Sequence, residues 1–243
     1  MSIRAFVSSL LAAGLAQAAV AETYTTSRCK LFQQPEFRIQ VASKAVPIND
    51  VEGILHGLEE RVAAGERFKG GETIQIGWML TKLEPDPDGA LHVTEPDMKS
   101  IPIKFVRSID NTLRQLRSQK DTVESVMPSD QLSFPFITQS AVVHVNYKTT
   151  KRLALDRAAP DGADSGWWLS DLNEKSTTHE PKNYTKISLY QLAIDRPDLV
   201  KFFALPAGLQ AVVDGNLIGV LKDGKELPQA PGSFLSELNR VRR

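Results

Sequence analysis

The spacing of apolar residues along the chain predicts two amphipathic helices in its first half. One stripe recurs at helical spacing at Val51, Ile54, Leu55, Leu58 and Val62. Asn49 lies three residues before Glu52, the spacing of a capping box, and Gly65 favours a helix end. A second stripe follows Ser108 and comprises Ile109, Leu113, Leu116, Val123 and Met127. Pro128 ends this second helix.

Alternation of apolar and polar residues predicts strands elsewhere. Between Thr73 and Leu83 the alternation favours one continuous strand. The stretch Asp86-Pro87-Asp88-Gly89 predicts a turn, because proline fixes φ and glycine accepts a positive φ, so a hairpin follows. Further strands are predicted at 37–41, 101–106, 140–147, 152–156, 166–172, 209–213 and 217–222, and helices at 187–195 and 197–203.

These elements predict an α+β fold, because strands and helices cluster without strict strand–helix–strand alternation. We expect two packed α/β modules with mostly antiparallel sheets and a few helices. The sequence around Pro128 is the best internal boundary, which places the modules at residues 22–128 and 129–227. Residues 22–36 resemble a loose leader, and residues 228–243 a tail that can fray.

The first 21 residues have the pattern of a secretory signal peptide. Arg4 precedes a short apolar run, and the triplet Ala19-Val20-Ala21 offers a cleavage site before Glu22. The run is too short to span a bilayer. The alternative, an ordinary amphipathic N-terminal helix, is less consistent with this order. We therefore expect a periplasmic or secreted protein without stable membrane insertion after cleavage.

Charge and cysteine content narrow the possible partners. The chain has 29 basic and 29 acidic residues, so nothing in its net charge favours nucleic acid. The single cysteine, Cys29, forbids an internal disulfide, and an exported chain of this kind must be stabilised by burial alone. Cys29 could pair with a partner chain, but an inert thiol near the terminus is the simpler expectation.

Motifs for catalysis or for metal binding are missing from the sequence. The pair His179-Glu180 precedes Pro181 and lacks the second histidine of an H-E-x-x-H zinc helix. No G-x-S-x-G elbow occurs, and Gly70-Gly71 lacks the Lys-Ser/Thr of a phosphate loop. We therefore predict no catalytic residue, no cofactor and no metal.

A glycine-bearing acidic loop running into paired tryptophans is the most distinctive segment. Its carboxylates are Asp156, Asp161, Asp164 and Asp171. The segment could hold a catalytic carboxylate pair, which would need a pKa raised by burial. A turn-rich loop stays in contact with water, so we expect ordinary pKa values for its carboxylates. It lacks the D-x-D-x-D-G spacing of a calcium loop. It also has the composition of a protein-binding hot spot. Trp167 and Trp168 must face opposite sides of a strand, so one is expected in the core and one at the surface.

The same residues resemble a known family. The run from Leu155 to Trp167, with its Asp164-Ser165-Gly166-Trp167 core, is similar to the signature of bacterial immunity-protein-33-like domains, associated with polymorphic toxin loci. Flanking segments at 139–143, 187–190 and 203–208 fit too, and some members carry an upstream module resembling residues 73–78 and 111–116. The resemblance implies binding of a toxin rather than catalysis.

We therefore expect an exported immunity-like protein that neutralises a toxin acting in the cell envelope. The expected partner-binding residues are Asp161, Asp164, Ser165, Trp167, Trp168 and Asp171. Two alternatives stay open at this point. One is a secreted hydrolase that acts on envelope polymers through the loop carboxylates. The other is a periplasmic small-ligand module in which Trp78 or Trp168 stacks on the ligand.

Overall fold

The computed structural model of the protein describes residues 21–174, 180–215 and 217–241. It contains two sheets, each antiparallel except for one parallel pair of strands, with helices packed against them. This arrangement confirms the predicted α+β class. The predicted signal peptide lies, except for Ala21, outside the described residues. The division into modules at Pro128 stays a prediction.

The first sheet contains six strands in the N-terminal half. They are β1 (Glu22–Thr25), β2 (Phe37–Val41), β3 (Thr73–Ile76), β4 (Met79–Pro85), β5 (Leu91–Asp97) and β6 (Lys104–Val106). Their order is β1-β2-β5-β4-β3, with β6 beside β5, and only β2 and β5 are parallel. The expected loose leader is instead ordered, because β1 pairs with β2 and residues Cys29–Phe32 form a 3₁₀ turn over the core.

The single strand predicted between Thr73 and Leu83 is wrong. The chain reverses after Ile76, and β3 and β4 form a hairpin in which Ile76 faces Met79. Gly77 makes this reversal possible, because it adopts a left-handed φ of 60°. The predicted hairpin at Asp86–Gly89 is confirmed: the Gly89 amide donates to the Asp86 carbonyl at 2.9 Å.

Two long helices carry the predicted apolar stripes. Helix α1 spans Ile48–Ala63 and α2 spans Asp110–Glu124. The predicted Asn49 cap is wrong, because Asn49 lies within the first turn and Pro47 precedes the helix. Val51, Leu58 and Val62 of α1 are buried as expected.

The second sheet contains seven strands in the C-terminal half. They are β7 (Ser140–His144), β8 (Arg152–Arg157), β9 (Asp164–Asp171), β10 (Tyr184–Ser188), β11 (Leu209–Asp214), β12 (Leu217–Lys222) and β13 (Lys225–Glu226). The order is β10-β7-β9-β8-β11-β12-β13, and only β7 and β9 are parallel. Helix α3 (Leu189–Asp195), a 3₁₀ segment (Pro197–Phe202) and α4 (Phe234–Val241) complete the fold.

Helix α2 connects two apolar cores. Leu113, near its start, packs with the N-terminal sheet and α1, whereas Val123, near its end, packs with the C-terminal sheet. Trp78, in the turn of the β3–β4 hairpin, also packs in the C-terminal core, 5.2 Å from the ring of Phe203. The two halves therefore share side chains across α2.

The C-terminal segment is packed rather than loose. Helix α4 buries Leu235 completely, and the Leu235 amide donates to the Ser125 hydroxyl at the end of α2 at 3.1 Å. The Ala230 amide donates to the Ser125 carbonyl. Apolar contact with the core holds the segment in place, a contribution that its position at the end of the sequence did not reveal.

Candidate functional site

The turn between β8 and β9 presents the first of the predicted contact residues. Asp161 and Asp164 exchange both backbone hydrogen bonds, at 3.0 and 2.8 Å, around Gly162-Ala163. Gly162 adopts a φ of 53° that closes this tight turn. Asp161 is therefore held on an ordered, exposed corner.

Gly166 fixes the path of the chain directly after this turn. Its φ is 78°, and a Cβ at this position would lie 2.2 Å from the carbonyl oxygen of Ala158. The Ala158 amide donates to the Gly166 carbonyl at 2.8 Å. Only glycine fits this approach, which explains the glycine in the Asp164-Ser165-Gly166-Trp167 run.

Asp164 is half-buried and already paired. The Lys186 ammonium lies 2.8 Å from its carboxylate, and the Gly166 amide donates to it at 2.8 Å. Burial alone would raise the pKa of Asp164, but the hydrogen bonds from Lys186 and Gly166 outweigh it and lower the pKa. Asp164 therefore stays ionised at the start of β9, where the Lys186 ammonium compensates its charge.

Three of the predicted contact residues lie inside the protein and are not surface groups. Ser165 is fully buried and donates to the Ser140 carbonyl at 2.7 Å, which joins β9 to β7. Trp167 is 1% exposed and packs on Phe203 in the C-terminal core. Asp171 is 8% exposed and accepts hydrogen bonds from Thr150 and Asn173. Buried side chains cannot meet a partner, so the contact surface is revised without them.

Hydrogen bonding also sets the ionisation of Asp171. Burial would raise its pKa, but donors from the Asn173 amide, the Thr150 hydroxyl and the Asn146 side chain reverse the effect and lower the pKa. The carboxylate therefore serves to close the end of β9 against the loop after β7.

Trp168 faces the opposite side of the sheet from Trp167, as the alternation of a strand requires. Its ring centroid lies 4.7 Å from that of Tyr184 on β10, and the Tyr184 ring meets His144 edge-on at 5.4 Å. Trp168 and Tyr184 are half-buried, so part of each ring meets solvent. This aromatic row crosses three neighbouring strands.

We define the open face as the side of the C-terminal sheet that carries Trp168. Cross-strand register places on it Val142, His144, Tyr184, Lys186, Trp168, Asp156, Gln210, Val212 and Leu221. The apolar cluster that includes α3 and the 3₁₀ segment lies on the other side of the sheet. Gln210 donates to Asp156 at 2.7 Å, so this polar pair is oriented beside Trp168.

Sequence reasoning missed several residues of the open face. Tyr184 and Lys186 belong to β10, a strand that was not predicted, because its start is polar and its end runs into α3. His144 was assigned to a strand, but its contact with Tyr184 depends on the pairing of β7 with β10. Strand order is a long-range property, and nothing local in the sequence specifies it.

Arg157 is an unexpected buried cation beneath the site. It is 3% exposed, its guanidinium lies 5.1 Å from the Trp167 ring centroid, and its Nε and Nη1 have no hydrogen-bond partner among the described residues. Burial lowers its pKa to about 10. Arg157 and Trp167 are also direct cross-strand partners of β8 and β9.

Of the two tryptophans expected to stack on a small ligand, Trp78 is buried and Trp168 is partly exposed. Trp78 is 1% exposed and donates its indole N–H to Gln115 at 2.8 Å, so it cannot stack on a ligand. Across the parts of the chain that the structure covers, no group of three or more His, Cys, Asp or Glu side chains could hold a metal ion. Cys29 is fully buried, and burial raises its thiol pKa to about 11.

One family model matches part of the chain. A family model described as the Imm33-like domain matches residues 118–223, which confirms the resemblance seen in the sequence. The match begins within α2 and contains the aromatic row, the β8–β9 turn and the Asp156–Gln210 pair. The residues concerned are His144, Tyr184 and Trp168 of the row, Asp161 and Asp164 of the turn, and Asp156 and Gln210. No curated protein and no solved structure matches the chain.

Proposed function

The chain carries an Imm33-like domain over residues 118–223, and from this premise we propose that it is an exported immunity-type protein. It binds and neutralises a toxin or effector that acts in the cell envelope, and it does so without catalysis. The observation that carries the proposal is the open face, which lies within the matched domain and combines half-exposed aromatic rings with fixed charges.

The composition of the open face suits a protein partner. Trp168 and Tyr184 offer large, rigid apolar area, and such residues dominate the binding energy of many interfaces. Asp161 lies at the exposed corner of the turn, where its negative charge accelerates encounter with a basic surface, and Asp164 lies beside it in an ion pair with Lys186. The contact surface of the proposal is therefore Asp161, Asp164, Trp168 and Tyr184.

The pKa shifts of two loop carboxylates do not favour the hydrolase alternative. A general acid needs a raised pKa. Asp164 and Asp171 have lowered pKa values, because donors surround both groups. The two carboxylates are thus engaged in holding the turn and the end of β9.

Export is the second part of the proposal and has its own support. The signal-like segment of residues 1–21 precedes β1, which starts at Glu22 where the mature chain would begin. Among the described residues no helix is both long and apolar enough to cross a bilayer. N-terminal sequencing of the protein recovered from its host should give Glu22 as the first residue. Recovery with Met1 in place would contradict export.

Binding is tested with the partner that co-purifies from an envelope fraction of the host. Trp168→Ala should weaken the purified complex by at least about tenfold, since it removes the central aromatic anchor. The pair Asp161→Asn and Asp164→Asn should slow association and reduce its salt dependence, and the amide oxygen introduced at position 164 can still accept from Gly166. Leu31→Ala is the matched control, because Leu31 is 78% exposed and lies outside the matched residues 118–223.

Three results would count against the proposal. The complex could survive both open-face changes with unchanged affinity. Leu31→Ala could weaken it as much as Trp168→Ala. The purified protein could degrade an envelope polymer and lose that turnover in the Asp161 and Asp164 double variant, which would favour the hydrolase instead.

A further inference from the structure

An apolar groove of about 420 Å³ lies between the two sheets, and none of its lining residues belongs to the open face. Leu80, Pro96 and Phe105 of the N-terminal sheet form one wall, and Ile137 and Tyr190 of the C-terminal half form the other. The Tyr190 hydroxyl donates to the Met98 carbonyl at 3.2 Å and so ties the two walls together. The groove is a built feature of the fold rather than a gap between loose parts.

Exposed apolar side chains surround this groove. Ile103 is 47% exposed and lines it, and Ile101, two residues earlier, is 99% exposed. Phe136, next to the lining residue Ile137, is 54% exposed. Large apolar side chains concentrated at one place on a surface mark interaction sites more often than chance exposure.

Two sheet edges flank the groove and favour an extended occupant. Phe105 lies on β6, which pairs only with β5, and Ser188 ends β10, the outermost strand of the C-terminal sheet. An edge strand offers backbone N–H and C=O groups to an added strand, while alternate side chains of that strand enter a pocket. The groove therefore suits a peptide segment better than a flat surface.

The charges near the groove favour an acidic segment. The Lys82 ammonium lies 5.6 Å from the centroid of the Phe105 ring on the groove wall. Lys99 precedes Ile101 and Ile103, Lys104 follows them as the first residue of β6, and neither lysine has a carboxylate within 4 Å of its ammonium among the described residues. The carboxylates nearby are Glu84, 3.5 Å from Lys82, and Asp97, which accepts from the Lys99 amide.

We propose that this groove is a second binding site, which takes an extended apolar segment of a protein partner flanked by acidic residues. An apolar side chain of the segment fills the space beside Phe105 and Ile103, and its carboxylates meet Lys82, Lys99 and Lys104. The proposal rests on the proposed function only in taking the partner to be a protein. The site itself is separate from the open face.

The test selects, from displayed random eight-residue peptides, those that bind the mature wild-type protein. Peptides that also bind the Ile103→Asp variant are removed. Enriched peptides should share an apolar centre with acidic flanks. When these peptides are synthesised, their affinity for the Ile103→Asp variant should be at least about tenfold lower than for the wild-type protein. Their affinity for the Lys82→Gln variant should be severalfold lower. Leu31→Asp is the matched control, since Leu31 is exposed and does not line the groove. Circular dichroism and thermal unfolding check that each variant is folded.

A lipid surface is the competing occupant and is tested directly. Wild-type protein is sedimented with phosphatidylglycerol vesicles and with phosphatidylcholine vesicles, beside Ile101→Asp. Binding to the anionic vesicles that Ile101→Asp abolishes would overturn the groove proposal in favour of membrane contact. Absence of peptide enrichment, or enrichment of peptides that bind Ile103→Asp equally well, would overturn it too.

The outcomes distinguish this site from the open face. Trp168→Ala should leave the affinity of the selected peptides unchanged, and a decrease would contradict a separate site. Failure of the peptide selection would leave the binding of the co-purified partner to the open face intact. Loss of that partner without loss of peptide binding would instead contradict the proposed function alone.

Discussion

Five consecutive residues of β9 have different roles because alternate side chains point to opposite sides of the strand. Asp164 and Trp168 face the open side, while Ser165 and Trp167 are buried, and Gly166 between them allows the close approach of Ala158. The stability of the turn and the exposure of the aromatic row are thus linked at the level of single residues. A change at Gly166 moves the contact residues without touching them.

Gly166→Ala should destabilise the protein by several kcal/mol, because it combines a left-handed φ with a backbone clash. Gly162→Ala is the control. Its φ is 53°, but nothing lies within 4 Å of the added methyl group, so only the conformational cost of about 1–2 kcal/mol applies. Urea unfolding measures both, and equal effects would contradict the role assigned to the Ala158 contact.

Asp171 should make stability depend on pH in the acid range. Its pKa is lowered in the folded state, so the carboxylate contributes stability above its ordinary pKa of 3.8 and loses it as pH falls through the folded value. Asp171→Asn should cost about 1–3 kcal/mol at pH 7, since its amide would face donors, and should flatten the curve below about pH 5. Parallel curves for the two proteins would show that this carboxylate is not responsible.

At the scale of elements, sequence patterns predict the strands and helices whose apolar residues repeat regularly. The stripes of α1 and α2 and the β11–β12 hairpin are confirmed in type and within a few residues in extent. Local patterns failed where one residue outweighed the pattern. Gly77 turned one predicted strand into a hairpin, although the alternation continued through it.

The candidate site was only partly predictable for the same reason. The exposure of one tryptophan of the pair followed from strand alternation alone. The neighbours of Trp168 on the open face could not be predicted in this way. The parallel pairing of Val142 with Trp168 and the pairing of β7 with β10 join distant parts of the sequence. The burial of Ser165 and Asp171 depends on the same neighbours.

Helix α4 gives a prediction at the scale of an element. Leu235→Ala should lower the free energy of unfolding by about 2–4 kcal/mol, because Leu235 is fully buried against the C-terminal core. Val241→Ala on the same helix is the control and should change it by less than about 0.5 kcal/mol, since Val241 is 76% exposed. A small effect at Leu235 would mean that the segment is not part of the folded unit.

At the scale of the whole molecule, α2 and the Trp78 turn connect the two halves. Leu113 packs in one core and Val123 in the other, while Gln119 donates to the Val200 carbonyl at 3.0 Å. Trp78 carries the N-terminal hairpin into the C-terminal core. The two proposed modules therefore should not unfold independently.

Unfolding in urea should accordingly be one transition seen by two probes. Tryptophan fluorescence reports the C-terminal core, which contains Trp78 and Trp167, and reaction of the Cys29 thiol reports the N-terminal core, where Cys29 is fully buried. The two midpoints should coincide, because shared side chains couple the cores. Separate midpoints would instead indicate modules that fold alone.

The central claim, that the open face binds a protein, is tested most directly by site-specific photo-crosslinking in the native host. A photoreactive amino acid replaces Gln210, Val212 or Leu221, which lie on the open face but are not among the four proposed contact residues, and Leu31 serves as the control. We expect one discrete protein adduct from the open-face positions, identified as a toxin by mass spectrometry, and none from position 31. An adduct from position 31 with none from the open face would contradict it.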